Sequence, residues 1–179
     1  MSQTTRRPTG VVATIIKTRT YRSSWIPLRG NRIAVADGAI PRGVTVFDNE
    51  YPAIANLNPA LLRALREAAT DAGIQFYVNS GWRSPAYQNR LRRAAVARYG
   101  SEAEAARWVA TADASAHVSG DAVDLGFDAR VWLSEHGAGY GLCQIYRNEP
   151  WHYEFRPEAS ECGCPPMYPD PAHDPRMRK

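Results

Sequence analysis

The clearest helical period in the chain runs from Leu61 to Ala69, where Leu61, Leu62, Leu65, Ala68 and Ala69 recur along one side. Asn58-Pro59 precedes it. The asparagine can cap free backbone N–H groups, and the proline loses nothing at the first helical position, where its N–H would be unpaired anyway. Apolar spacing carries this helix to about Thr70, and Gly73 ends it. A second helix begins at Ser84-Pro85, places Tyr87, Leu91, Ala94 and Ala95 along one side and stops near Tyr99-Gly100. A third opens at Ser101, because Glu104 completes a capping box ahead of Ala-rich sequence that continues to Val109.

Shorter apolar runs read as strands: Ile74–Asn79, Ala122–Phe127, Leu142–Tyr146 and Trp151–Phe155. The last two flank Arg147-Asn148-Glu149-Pro150, a hairpin signal with an acid at its corner. Val131–Glu135 suggests a helical turn, and Gly137, Gly139 and Gly141 a tightly turned connector. Upstream, residues 11–19 suggest a strand, and 21–52 short extended pieces separated by Pro27, Gly30, Asp37-Gly38 and Pro41. Beyond Pro157 a tail containing Pro, Asp and Cys offers no convincing regular element. The expectation is one domain over 1–179, with 1–10 and 165–179 as flexible ends.

Composition narrows the picture modestly. With 179 residues, 44% hydrophobic and 22% charged, the chain can bury one substantial core. Its apolar runs are broken by Arg, Asp or Gly too early to cross a bilayer, and Val11–Ile16 is too short for the apolar region of a good signal peptide. Cytoplasm and cell envelope both stay open. The net charge is +4, almost all the cations are arginines, and Lys17 and Lys179 are the sole lysines. Because those arginines do not gather in one segment, no nucleic-acid partner is expected. A monomer is expected. Cys162-Gly163-Cys164 is too closely spaced for an ordinary disulfide within itself; Cys143 can pair with either cysteine if the tail folds back, leaving one thiol over.

Two segments carry chemistry. In Ser115-Ala116-His117-Val118-Ser119-Gly120-Asp121-Ala122-Val123-Asp124, His117 lies before a glycine turn and Asp124 inside the following strand. Imidazole and carboxylate suit zinc, and a carboxylate between Val123 and Leu125 needs a cation, a metal or several donors. In Glu149-Pro150-Trp151-His152, His152 adds a second imidazole and Glu149 a carboxylate near the same point. Two His and one Asp with an open position fit catalytic zinc, and a neighbouring carboxylate can accept a proton from the metal's water.

Together these segments resemble the zinc D-alanyl-D-alanine peptidase family of VanY-type carboxypeptidases and VanX-type dipeptidases. The family's Ser-x-His, four positions containing Gly, then Ala-x-Asp runs from Ser115 to Asp124, and Glu-x-Trp-His from Glu149 to His152. Ser80-Gly81-Trp82-Arg83-Ser84, with Gln88 following, is a third family-like stretch, and Tyr140-Gly141-Leu142 adds likeness to the VanY type. The resemblance spans roughly residues 57–156. It implies an α+β fold of the D,D-peptidase/hedgehog-like kind, a central antiparallel sheet bearing the zinc site with helices packed against it. His117, Asp124 and His152 are implied as ligands of one Zn2+, Glu149 as the base, and Arg83 as the group that offsets charge on the substrate carbonyl. Ser115, Gln88, Trp82 and Trp151 are implied as substrate-side positions, and a peptidoglycan precursor or stem peptide as the partner. Asp121 either orients His117 or faces water. A dipeptidase, another stem-peptide endopeptidase and a non-catalytic wall-binding module stay as alternatives; the last fits poorly with retention of Glu149 beside all three ligands.

Overall fold

In the computed structural model residues 35–177 are described, and four short strands form one antiparallel sheet. They are β1 (Val78–Ser80), β2 (Ala122–Leu125), β3 (Leu142–Gln144) and β4 (His152–Phe155), in the order β1-β2-β4-β3. The helices are α1 (Pro52–Ala55), α2 (Pro59–Ala72), α3 (Pro85–Tyr99), α4 (Glu102–Ala106), α5 (Ala116–Ser119), α6 (Phe127–His136) and α7 (Ala159–Cys162). The fold is α+β, as the family resemblance implies. None of the described helices is long and apolar enough to cross a membrane.

The capping chemistry places the long helices. Asn58 Oδ1 accepts from the Ala60 N–H at 2.9 Å and Pro59 starts α2, while Gly73 closes it in the left-handed conformation. The apolar stripe of α2 buries Leu61, Ala64, Leu65, Ala68 and Ala69 against Phe76, Val78, Val123, Leu125 and Tyr153. Leu61 and Leu65 are fully buried, each worth about 2 kcal/mol in area removed from water. Ser84 Oγ accepts from the Tyr87 N–H at the start of α3, and Ser101 Oγ from the Glu104 N–H at the start of α4. Successive side chains of a strand alternate between faces. Because Val123, Leu125 and Tyr153 enter the α2 core, Asp124 and His152 lie on the opposite face.

Several elements differ from the sequence expectation. Part of the segment 21–52 lies outside the described residues, as do the strand at 11–19 and the end at 1–10; its described portion holds a 3-10 turn at Val35–Asp37, further turns and one antiparallel bridge from Thr45 to Tyr77. Strand β1 begins later than 74–79 because the chain around Phe76–Val78 bonds to Val44–Val46, and its register with β2 shifts between Val78 and Ser80. The polar stretch before β2 contains α5, and α6 extends well beyond Val131–Glu135. Helix α4 stops before Val109.

In the segment expected as a flexible end from 165, the described residues make specific contacts: Tyr168 bridges Tyr146 in parallel, donating to the Ile145 carbonyl and accepting from the Arg147 N–H. Asp170 and Asp174 are buried and paired to Arg107 and Arg176. Charge pairing supplies the order that apolar periodicity did not announce. Cys143 pairs with Cys164, fixing the tail to β3, and Cys162 is free and exposed; the short α7 lies where no regular element is expected.

Candidate metal centre

The sheet register builds the site. Asp124 on β2 stands opposite Ser80 on β1 and His152 on β4, so three polar residues form one row across the strands. His117 enters from α5, whose last turn is held against the α1–α2 connection. Gly120 has φ +82°, and a Cβ there would come within 2.4 Å of the Asn56 carbonyl oxygen. Gly81 has a similar constraint: its Cβ would meet the Ala53 carbonyl at 2.1 Å. These glycines let backbone from three short elements converge beside Asp124.

Each imidazole has one nitrogen bound away from the centre. His117 Nδ1 lies 2.8 Å from the Gly81 carbonyl, which can only accept, so Nδ1 carries the proton and Nε2 is the free donor to a metal. His152 Nε2 is 3.3 Å from Glu154 Oε1, leaving Nδ1 turned to Asp124. His117 Nε2 and His152 Nδ1 each approach Asp124 Oδ1 at 3.3 Å. All three residues are buried, and their ligand atoms lie within 4.8 Å of one another. For zinc bonds of about 2.0–2.1 Å, the edge of a regular tetrahedron is about 3.3 Å, so the two imidazole-to-carboxylate separations fit a shared ion.

Arg83 binds this centre from behind Asp124. Its Nε donates to Ser80 Oγ at 2.8 Å, one terminal nitrogen to Gln88 Oε1 at 3.2 Å, and the other to Asp124 Oδ2 at 2.8 Å. Gln88 is buried and its own amide donates to the Ala110 carbonyl, so its closest service is to Arg83. Asp124 therefore divides its oxygens between the histidines and Arg83. Burial opposes its ionisation, but His117, His152 and Arg83 together hold its pKa well below the ordinary carboxylate value.

Glu149 is also buried, and its nearer oxygen lies 3.8 Å from His152 Nδ1. Burial raises its pKa to about 7, with His152 pulling it down and Asp124 pushing it up. Burial and Arg83 lower the pKa of His117. For His152 burial also favours the neutral ring, yet its bonds to Asp124 and Glu154 outweigh that and raise the pKa to about 10.

The remaining expected positions are less central. Ser115 is buried at the start of α5 without capping it by its side chain; Trp82 and Trp151 are half-buried and contribute backbone bonds to Ala53 and Leu125. Asp121 is exposed and accepts from Asn58 Nδ2, while His117 is oriented by Gly81. The sequence assigned no role to Glu154, to Ser80 or to the Gly81 carbonyl. Glu154 had a signal: it lies two residues after His152 on a strand, hence on the same face. Burial opposes its ionisation, but His152 and Arg176 outweigh that cost and lower its pKa to about 2, and Arg156 also pairs with it.

The family model described as VanY, D-alanyl-D-alanine carboxypeptidase, matches residues 55–158. Among solved structures, VanYB in complex with D-alanine-D-alanine is 28% identical, over 57% of this chain and 70% of that one, with a TM-score of 0.49. A mutant of the vancomycin resistance D,D-pentapeptidase VanY from a VanB-type resistance cassette, in complex with Zn(II), is 27% identical over 55% of this chain and 72% of that one, with a TM-score of 0.49. An L,D-carboxypeptidase, DacB, from Streptococcus pneumoniae is 28% identical over 60% of this chain and 71% of that one, with a TM-score of 0.47. No curated protein matches the chain.

Proposed function

The chain belongs to the VanY family of D-alanyl-D-alanine carboxypeptidases, and from that premise we propose that it removes the terminal D-alanine from peptidoglycan precursor peptides, with His117, Asp124 and His152 holding one zinc ion and Glu149 acting as the base. The observation that carries this reading is the buried convergence of His117 Nε2, Asp124 Oδ1 and His152 Nδ1 beside a carboxylate that is not itself needed as a ligand. The donor set suits zinc: two imidazoles with their outer nitrogens already bonded, and one carboxylate kept ionised by Arg83.

Bound there, zinc supplies a Lewis acid that lowers the pKa of a water and polarises the scissile carbonyl. Glu149 accepts the proton of the attacking water. As the peptide C–N bond breaks, the same carboxyl returns that proton to the nitrogen of the departing D-alanine, so the amine leaves neutral and Glu149 is restored. Arg83 has used three of the five N–H donors of a guanidinium on Ser80, Gln88 and Asp124. The others can oppose the negative charge that grows on the carbonyl oxygen, from a side chain whose position is already fixed. In this reading Gln88 acts through Arg83, whereas Ser115, Trp82 and Trp151 supply the surface on which the peptide rests.

The test is hydrolysis by protein stripped of metal and reconstituted with zinc. Offered D-Ala-D-Ala, a muramyl pentapeptide and intact cross-linked wall, with products identified by mass spectrometry, it should release D-alanine from the pentapeptide. No product from any of the three despite stoichiometric zinc rejects the assignment.

A further inference from the structure

The metal ligands are supported from a part of the chain outside the matched family segment. Glu154, which is 1% exposed, receives three groups. His152 Nε2 reaches its Oε1 at 3.3 Å, Arg156 donates to its Oε2, and Arg176 bonds both oxygens, Oε2 at 2.7 Å and Oε1 at 3.2 Å. Arg176 alone among these cations shares Oε1 with His152. Asp174, fully buried, fixes the Arg176 guanidinium from the other side and accepts the Tyr146 hydroxyl at 2.9 Å. The Tyr146 ring in turn lies 5.0 Å from the His152 ring, centroid to centroid.

We propose that residues 168–177 form a strap that completes the metal centre, with Arg176 as a positioning residue: by gripping both oxygens of Glu154 it aims the Oε1 that holds His152, and so presents His152 Nδ1 to zinc. This rests on the ligand assignment above and adds to it a residue far along the chain. The strap is anchored independently of Arg176. The Cys143–Cys164 disulfide ties its approach to β3, an isolated Tyr146–Tyr168 bridge pairs it with the chain just after β3, and Asp170 accepts from Arg107 Nε at 2.9 Å. With those anchors in place, replacing Arg176 loosens the grip on Glu154 without releasing the segment. Two paths therefore meet His152 from the strap, one through Glu154 to its outer nitrogen and one through Asp174 and Tyr146 to its ring.

The experiment compares the parent with Arg176→Gln, Arg176→Lys and Arg156→Gln, all full length. Zinc affinity is measured by chelator competition, kcat and KM on the pentapeptide, and the melting temperature on metal-free protein. Loss of a group that bonds a metal ligand weakens metal binding by about 10–100-fold, and Arg176 holds such a group, Glu154, so Arg176→Gln should lose about ten-fold in zinc affinity, the lower end of that range. Its kcat should fall while KM stays near the parent value, and Arg176→Lys should recover part of both losses. Arg156 touches only Oε2, so Arg156→Gln should bind zinc within about three-fold of the parent, well short of that range. Zinc affinity unchanged in Arg176→Gln, or an equal loss in Arg156→Gln, overturns the positioning role. Should Arg176→Gln not fold, Arg176→Lys carries the test: a smaller loss in the same direction is expected, and parental affinity overturns the proposal. A parent that binds zinc but cleaves no peptide refutes the function while leaving the zinc comparison decisive; a parent that binds no zinc overturns both.

Discussion

The two histidines of the centre have rings 5.1 Å apart and the same proposed task, yet opposite surroundings. His117 gives its outer N–H to a neutral backbone carbonyl on the β1 side, and burial together with Arg83 favours the uncharged ring. His152 faces carboxylates on both nitrogens, Asp124 inward and Glu154 outward, and these hold it protonated against its burial. A backbone-held imidazole is ready to ligate at neutral pH. A carboxylate-held one makes a more basic ligand but must first surrender a proton. The difference teaches that the β1 side of the centre is preformed by chain path, whereas the β4 side is tuned by charge.

The largest effect on this contrast comes from the acid that shares the β4 side. Glu149→Gln removes the proton acceptor while leaving both histidines and Asp124, so zinc should stay bound and hydrolysis should fall by about 10²–10⁴-fold. The pH profile supplies the sign. Glu149 has a pKa raised to about 7 in the metal-free protein, and only its ionised form accepts a proton. Activity of the parent should therefore drop as pH falls below that region, with the limb lying lower once a cation is bound nearby. Peptide turnover measured with metal content decides it: full turnover in Glu149→Gln with stoichiometric zinc removes Glu149 from the reaction.

A smaller, graded effect separates the histidines themselves. His152 has a metal-free pKa of about 10, above its ordinary value, so it is charged throughout the neutral range and zinc must displace its proton. Zinc affinity should then rise roughly ten-fold per pH unit between pH 8 and 9, where Glu149 is already largely ionised. Calorimetry in buffers of different ionisation enthalpy should count about one proton released at pH 8, the linkage expected for a single site. Imidazole 15N shifts of the metal-free protein should assign it to His152 and show His117 neutral. Finding both rings neutral before zinc is added would erase the distinction between the two sides.

The residues legible in the sequence are those whose identity the chemistry demands. His117, Asp124, His152 and Glu149 stood out because few side chains can ligate zinc or take a proton, and the structure brings all four together. Helices α2 and α3 were legible from caps and periodicity, while α1, α5 and α7 are each only four residues long and hold too little of a period to register. What orients His117 could not be read, because a carbonyl belongs to every residue, and Gly81 entered only as part of a family-like stretch. The strap escaped for another reason. Its order depends on Asp170, Asp174 and Arg176 meeting residues distant in sequence, and a run of Pro and Asp shows no local pattern from which such pairing can be inferred.

The smallest expected effect tests the backbone-held side. Asp121 lies between His117 and Asp124 in the chain, where an acid could have oriented the ring. Its carboxylate instead accepts from Asn58 Nδ2 at 2.9 Å on the exposed side of the turn, while His117 Nδ1 is satisfied by Gly81. Asn58 caps α2 through its other amide atom, Oδ1, so that bond survives Asp121→Asn. A surface exchange of this kind should change stability by no more than about 0.5 kcal/mol. Zinc affinity and kcat should stay within about two-fold, since a factor of two is about 0.4 kcal/mol and no ligand bond is altered. Chelator competition on this variant reads the result directly. A ten-fold weaker zinc site would mean that His117, like His152, depends on a carboxylate, and the division between a backbone-held and a charge-held ligand would not survive it.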